Sequence, residues 1–338
     1  MSHISTISEL LALSNCQYRI YDMGRKIDKL SKEQFDKIEM THLPYPFPSQ
    51  GHAFLAIAFW QKKSTEPYLW FVKLPLDERG LLNQGARNHF IAIIIEALGS
   101  DLSVDPTEQQ EELLKSNPYH FTPAQYKLAT INSLLKKELK QPASIHYEHC
   151  QSYFAGELTW QNWQGVGVQG IADFAQRLNE DNNNQRLLNA LPHLPDEVLQ
   201  PVCGALENQQ LSAELIAALI QGYKANRQLD WYLRALASSS EHPHVIAFIE
   251  QLLAEQKLSA ESLITLAGRN WLALADKTRL LAYLECLVLM PESQLFPAIF
   301  KDLVAIPQIR PILFECMREP NRSADLAKAI GALFNQQQ

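Results

Sequence analysis

Between Phe71 and Phe90 the string FVKLPLDERGLLNQGARNHF gathers Lys73, Asp77, Glu78, Arg79, Arg87 and His89. A lysine closing an apolar run, with acids just beyond it, suits metal-assisted phosphodiester cleavage, where carboxylates hold a cation and the lysine polarises a phosphate. That chemistry needs an acid two residues before the lysine, and Phe71 stands there. A phosphate-cradling G-x-x-x-x-G-K-[ST] loop and a G-x-S-x-G nucleophile elbow are both absent from the sequence. Asp22 and Arg25 in YDMGRK stand at the end of another strand-like run. With Lys73, Asp77, Arg79 and Arg87 they form the candidate site for a charged small molecule. The same residue types also suit an ion-pair network that closes a turn, and this is the preferred reading. No catalytic residue is assigned.

Two further strings invite chemistry. HYEHC would place His146, His149 and Cys150 on one face of a helix, at i, i+3 and i+4. These are the metal-ligand candidates, since two imidazoles and a thiolate suit zinc. With no fourth ligand beside them and no H-E-x-x-H pattern, no metal and no cofactor is assigned. GVGVQG, residues 165–170, matches G-x-G-x-x-G and precedes a helical pattern. The dinucleotide fingerprint also requires a buried strand before the glycines, and the preceding GELTWQNWQ is polar. Close packing of the chain beside Trp160 and Trp163 is the simpler use of these glycines.

The elements that must hold these residues can be read from periodicity. SELLALSN and SKEQFDKIE are short helical patterns, with Ser8 and Ser31 as expected N-caps. QYRIYDMGRKI alternates like a strand until Gly24, while HAFLAIAFWQ and PYLWFVKLPL are aromatic-rich runs of strand length. KKSTEP between them reads as a hairpin loop. NQGARNHFIAIIIEALG has helical spacing and ends at Gly99, an expected C-cap. About three antiparallel strands follow from this pattern. Pro44, Pro46 and Pro48 exclude regular structure from YPFPSQG. Asp105-Pro106 and Thr122-Pro123 should open two more helices.

The second half is helical by pattern and carries repeated markers. Pro195, Pro243 and Pro291 are 48 residues apart, and LSAE recurs at 211 and 258. Three helix-length segments fall in each interval, in the size range of HEAT and armadillo units. The expected organisation is a small α+β domain over 1–140, a connecting helical segment over 141–194, and an all-α HEAT-like repeat domain over 195–338. That last domain would hold about three 48-residue units.

The totals narrow the function classes. Residues 1–150 carry 16 Lys+Arg against 17 Asp+Glu, and residues 151–338 carry 14 against 20. Neither half has the basic excess expected of a phosphate-backbone binder, so nucleic acid is disfavoured. Five dispersed cysteines without C-x-x-C suit reduced, buried thiols. The longest apolar run, FIAIIIEALG, is too short for a membrane span and contains Glu96. The N-terminal MSHISTISELLALSN lacks the features of a signal peptide, so a cytoplasmic location is expected.

YRIYDMGRKI, LPLDERGLL and HYEHCQSYFAGELTWQNWQGVGVQGIADF together resemble a gammaproteobacterial protein family known as a domain of unknown function. The resemblance covers nearly the whole chain. It implies a bacterial cytosolic context and adds no site residue. The resulting expectation is a non-enzymatic adaptor whose acidic helical-repeat surface takes a protein partner through a basic segment. A ligand-binding or catalytic site on the N-terminal domain is the alternative.

Overall fold

The computed structural model describes residues 4–61, 66–99, 102, 107–226 and 230–335. The chain forms two compact units. One is Met1–Pro123 with Val304–Gln308, and the other is Ala124–Leu303 with Ile309–Gln338.

The first unit contains α1 (Ile7–Leu13), β1 (Cys16–Asp22), β2 (Asp28–Leu30), α2 (Lys32–Glu39), β3 (His52–Gln61), β4 (Tyr68–Pro75), α3 (Gln84–Leu98) and α4 (Glu108–Lys115). The strands form one antiparallel sheet in the order β2-β1-β3-β4. The short β2, unread in the sequence, makes four strands rather than about three. Its three residues hold too little alternation to register as a strand, yet Ile20 pairs with Leu30 and Asp22 with Asp28.

Register follows from the alternating apolar set. Leu55 and Ile57 on β3 pair with Val72 and Trp70 on β4, placing all four on one face. That face packs with Ile7 and Leu10 of α1, Phe35 and Ile38 of α2, and Phe90, Ile91 and Ile94 of α3. Burying each such side chain contributes about 1.5–3 kcal/mol.

Local chemistry sets the helix ends. Ser31 caps α2 by accepting the Gln34 N–H, and Asn83 caps α3 by accepting the Ala86 N–H. Gly99 ends α3 at φ 74°, a left-handed conformation that glycine adopts freely. The expected Ser8 cap of α1 is replaced by Thr6, and Ser8 is buried within the helix. Thr107 and Gln110 form a capping box at α4. Asp105-Pro106 and residues 62–65 of the hairpin loop lie outside the described residues.

The second unit is built of helices: α5 (Gln125–Glu138), α6 (Tyr147–Phe154), α7 (Val168–Gln176), α8 (Asn183–Ala190), α9 (Asp196–Leu206), α10 (Ala213–Ala225), α11 (Trp231–Ala235), α12 (Pro243–Glu255), α13 (Ala260–Arg269), α14 (Lys277–Val288), α15 (Leu295–Ala305), α16 (Arg310–Met317) and α17 (Ala324–Asn335). Helix α15 ends within the short segment assigned to the first unit. α5, read from sequence with the N-terminal domain, packs on α7 and α9.

Pro195, Pro243 and Pro291 stand at or before the starts of α9, α12 and α15, so three helices do fall in each 48-residue interval. Packing, however, links alternate helices. α7, α9, α11 and α13 touch in succession, as do α8, α10, α12, α14 and α16. Polar ties reinforce this shorter step: Gln210 donates to Ser238 O at 2.6 Å, and the Leu211 N–H to Ser239 Oγ at 3.1 Å, each across 28 residues. Among the described residues, no helix is long and apolar enough to cross a membrane.

Candidate functional site

The six charged candidates sit in several local arrangements. Asp22 ends β1 and is fully buried. Its carboxylate accepts the Tyr45 O–H at 2.6 Å and the N–H groups of Gly24 and Arg25 at 3.1 and 3.3 Å. Arg25, also buried, donates from Nε to Pro48 O at 3.0 Å. Burial, and then the adjacent Asp22 charge, push the Tyr45 phenol well above its ordinary range. The proline-rich segment is thus tied to the end of β1.

Asp77 and Arg79 meet on an exposed turn. Asp77 Oδ1 accepts the N–H groups of Leu81 and Arg79 at 2.8 and 2.9 Å, and Oδ2 lies 3.4 Å from Arg79 Nε. These bonds, led by the one from Leu81, hold the Asp77 carboxyl below its ordinary value. Lys73 Nζ lies 5.2 Å above the Phe54 ring. Arg87 is buried in α3, where its guanidinium donates to the Glu39 carbonyl and, from Nη2 at 2.8 Å, to Asn88 Oδ1.

Glu39 itself was invisible as a candidate. Its buried carboxylate leaves α2 and accepts the Ile7 and Ser8 N–H groups at 2.7 and 3.0 Å, serving the start of α1. The pairing spans more than thirty residues, which no local spacing rule reports. The structure therefore joins Asp22 with Arg25 and Asp77 with Arg79, while Lys73 and Arg87 have other neighbours.

The metal-ligand candidates divide between surface and interior. His146 and His149 are exposed, whereas Cys150 lies on the buried side of α6. Burial, then the nearby Asp173 charge, raises the Cys150 thiol far above its ordinary value, which disfavours the thiolate a metal requires. Among the described residues, no group of three or more His, Cys, Asp and Glu side chains is arranged to hold a metal ion.

The neighbouring glycines serve packing. A Cβ on Gly170 would lie 2.8 Å from His146 O, and one on Gly165 would lie 2.8 Å from His149 Nε2. Two of the three glycines in G-x-G-x-x-G are accordingly used for close approach to α6 and the residue before it.

The helical unit carries its own charged centre. Glu207, fully buried just after α9, accepts Arg234 Nε at 2.5 Å and Nη2 at 3.0 Å, and Arg269 Nε at 3.1 Å. One carboxylate thereby ties α11 and α13 to the end of α9. Arg234 also lies over the Tyr126 ring of α5, 4.5 Å from its centroid.

Two of the cavities formed by described residues lie in the first unit. One of about 180 Å³ lies between α3 and α4, lined by residues including Ile93 and Leu113. The other, of about 240 Å³, runs beside β4, where Tyr68 and Trp70 face Phe90 and Ile94 of α3 and Leu114 of α4. None of the six charged candidates lines either one. Beside this second cavity β4 forms an edge of the four-stranded sheet. Part of that edge is covered: Lys73 N–H donates to Tyr119 O at 2.7 Å, and Phe121 N–H to Phe71 O at 3.3 Å.

These features define a small antiparallel α+β unit joined to a unit of stacked helices. Residues 2–334 match the model of the family described as "Protein of unknown function (DUF3549)", and the chain belongs to that family. Neither a curated protein nor a solved structure matches the chain.

Proposed function

We propose that the protein is a non-enzymatic adaptor whose HEAT-like helical array binds a protein partner. The observation that carries this reading is the alternate-helix stacking of α7 to α14. Such stacking creates a continuous core and leaves extended outer faces for recognition. The centre of the array is occupied by its own ties, with Glu207 consumed by Arg234 and Arg269. Asp196, Glu197, Glu214 and Glu261 remain exposed on α9, α10 and α13. An acidic surface of this kind favours a basic segment of the partner and accelerates its capture at low salt.

The test combines affinity purification of the intact protein from its host with crosslinking. Partner crosslinks should fall on α9–α13. Binding should weaken with salt, and a Glu197→Lys, Glu214→Lys, Glu261→Lys variant should lose about tenfold or more in affinity. Crosslinks confined to residues before 195, or binding indifferent to both salt and charge reversal, would overturn the reading.

A further inference from the structure

The edge of β4 has an unfinished hydrogen-bonding pattern. In an antiparallel sheet the N–H and C=O of one residue point to the same side, and the side alternates along the strand. Lys73 and Phe71 bond away from β3, toward Tyr119 and Phe121, so Leu69 faces away from β3 as well. The Tyr119–Phe121 cover is a single bridge, Val72 with His120. Continued in that register it would bring Pro123 opposite Leu69, and proline has no N–H to give. Among the described residues, the Leu69 N–H and C=O and the Phe71 N–H have no backbone partner on that side.

Chemistry beside these groups specifies what would fit. The cavity next to them is walled by Tyr68, Trp70, Phe90 and Leu114, a lining suited to alternate apolar side chains of an extended chain. On its α4 side Glu111 and Lys115 line the cavity and pair at 3.3 Å, while Glu108 and Glu112 stand exposed on the same helix outside the lining. The flank is therefore net acidic. Open edges are usually blunted by charge, proline or covering structure, and here the strand residues Leu69, Trp70 and Phe71 are half-buried and apolar.

We propose that the β4 edge is a docking site for an extended, Lys/Arg-flanked segment of a partner protein. The segment adds as a strand opposite Leu69, where the Tyr119–Phe121 bridge stops. Its backbone takes up the Leu69 N–H and C=O and the Phe71 N–H, alternate apolar side chains enter the cavity, and its cations face α4. This site belongs to the first unit, so its failure would leave the helical-array reading standing.

The test uses the full-length protein and synthetic peptides alternating Thr with Val, Leu or Phe, flanked by lysines, with glutamate-flanked and proline-interrupted versions as controls. Backbone amide exchange and Trp70 fluorescence report binding. A lysine-flanked peptide should slow exchange of the Leu69 and Phe71 amides at least tenfold, while Val72 and Lys73, already bonded, change little. Glutamate flanks or interrupting prolines should remove the effect. Leu69→Pro removes the edge donor and should abolish protection. Glu111→Lys with Glu112→Lys leaves the strand intact and should weaken the lysine-flanked peptide tenfold, which keeps the test decisive if Leu69→Pro does not fold. Unchanged Leu69 and Phe71 exchange with every lysine-flanked peptide at millimolar concentration would overturn the proposal. Protection that depends only on protein concentration would overturn it too, by making a second copy the occupant.

Discussion

The two units use buried charge differently. In the first, Asp22 closes the end of one strand, and Glu39 serves the first turn of one helix. Each organises one junction within a fold already defined by its sheet. In the second, Glu207 holds two arginines from two further helices, reaching 27 residues forward to Arg234 and 62 to Arg269. A sheet supplies its own long-range cross-links through the backbone, whereas helices satisfy their backbones internally. Stacked helices must therefore be registered by side chains, through packing and a few polar ties. Glu207 accordingly gathers three helices at one carboxylate, whereas Asp22 and Glu39 each fix a single junction at an element's end.

The sharpest way to break this contrast is Glu207→Ala. It leaves two partly buried guanidinium groups without their shared carboxylate, and breaking a buried pair of this kind costs about 3–5 kcal/mol. Hydrogen exchange should rise together in α9, α11 and α13, because one group ties all three. Acceleration confined to the end of α9 would mean that packing alone registers the stack. Glu207→Gln should fall between wild type and alanine, keeping an acceptor while losing the charge.

A smaller effect is expected at Glu39. Alanine there removes the acceptor for the Ile7 and Ser8 N–H groups, at about 1–3 kcal/mol. Burial raises the Glu39 carboxyl above its ordinary value, against the opposing pull of those same hydrogen bonds and of Arg87. A folded-state pKa above the unfolded one means that the native state holds the proton more tightly. The contribution is therefore full below the unfolded value and is lost as pH rises through the folded one. Denaturant unfolding of wild type and Glu39→Gln should show their stability difference shrinking across that window as pH increases. A difference that grows instead would mean that the hydrogen bonds to the carboxylate outweigh its burial.

These two residues also mark where the sequence is readable. The β3 and β4 runs, the Ser31 cap and the Gly99 stop of α3 are legible because each rests on residues adjacent in the chain. Asp77 could be noticed for the same reason, since its turn is complete within five residues. Glu39 and Glu207 have no local signature, because their partners lie one or more elements away. The prolines at 195, 243 and 291 do fall at or near helix starts, but proline marks where a helix begins and not what it packs against. The 48-residue interval thus reports helix punctuation, and the alternate-helix step emerges only from tertiary packing. The open β4 edge was hidden for a related reason. An apolar strand sequence is the same whether a neighbour covers its edge or not, and the cover here comes from Tyr119–Phe121, far along the chain.

Asp77 should give the smallest effect and sharpens the comparison from its other side. Its turn is rich in bonds, with two backbone N–H groups and the Arg79 guanidinium on one carboxylate, yet all lie on the surface. Exposed ion pairs are screened and contribute little, and water can replace lost acceptors there. Asp77→Ala should therefore leave the thermal midpoint nearly unchanged while speeding exchange of the Arg79 and Leu81 amides alone. The carboxyl is held below its ordinary value, so its contribution is present above the unfolded pKa and fades as pH falls through the folded one. Wild type should lose its local protection at those two amides over that acidic window, and the alanine variant should show no such step. If Asp77→Ala instead loosened β4 and α3 together, this turn would be coupling elements, as Glu207 does in the helical unit, and the contrast between the two units would fail at its most exposed point.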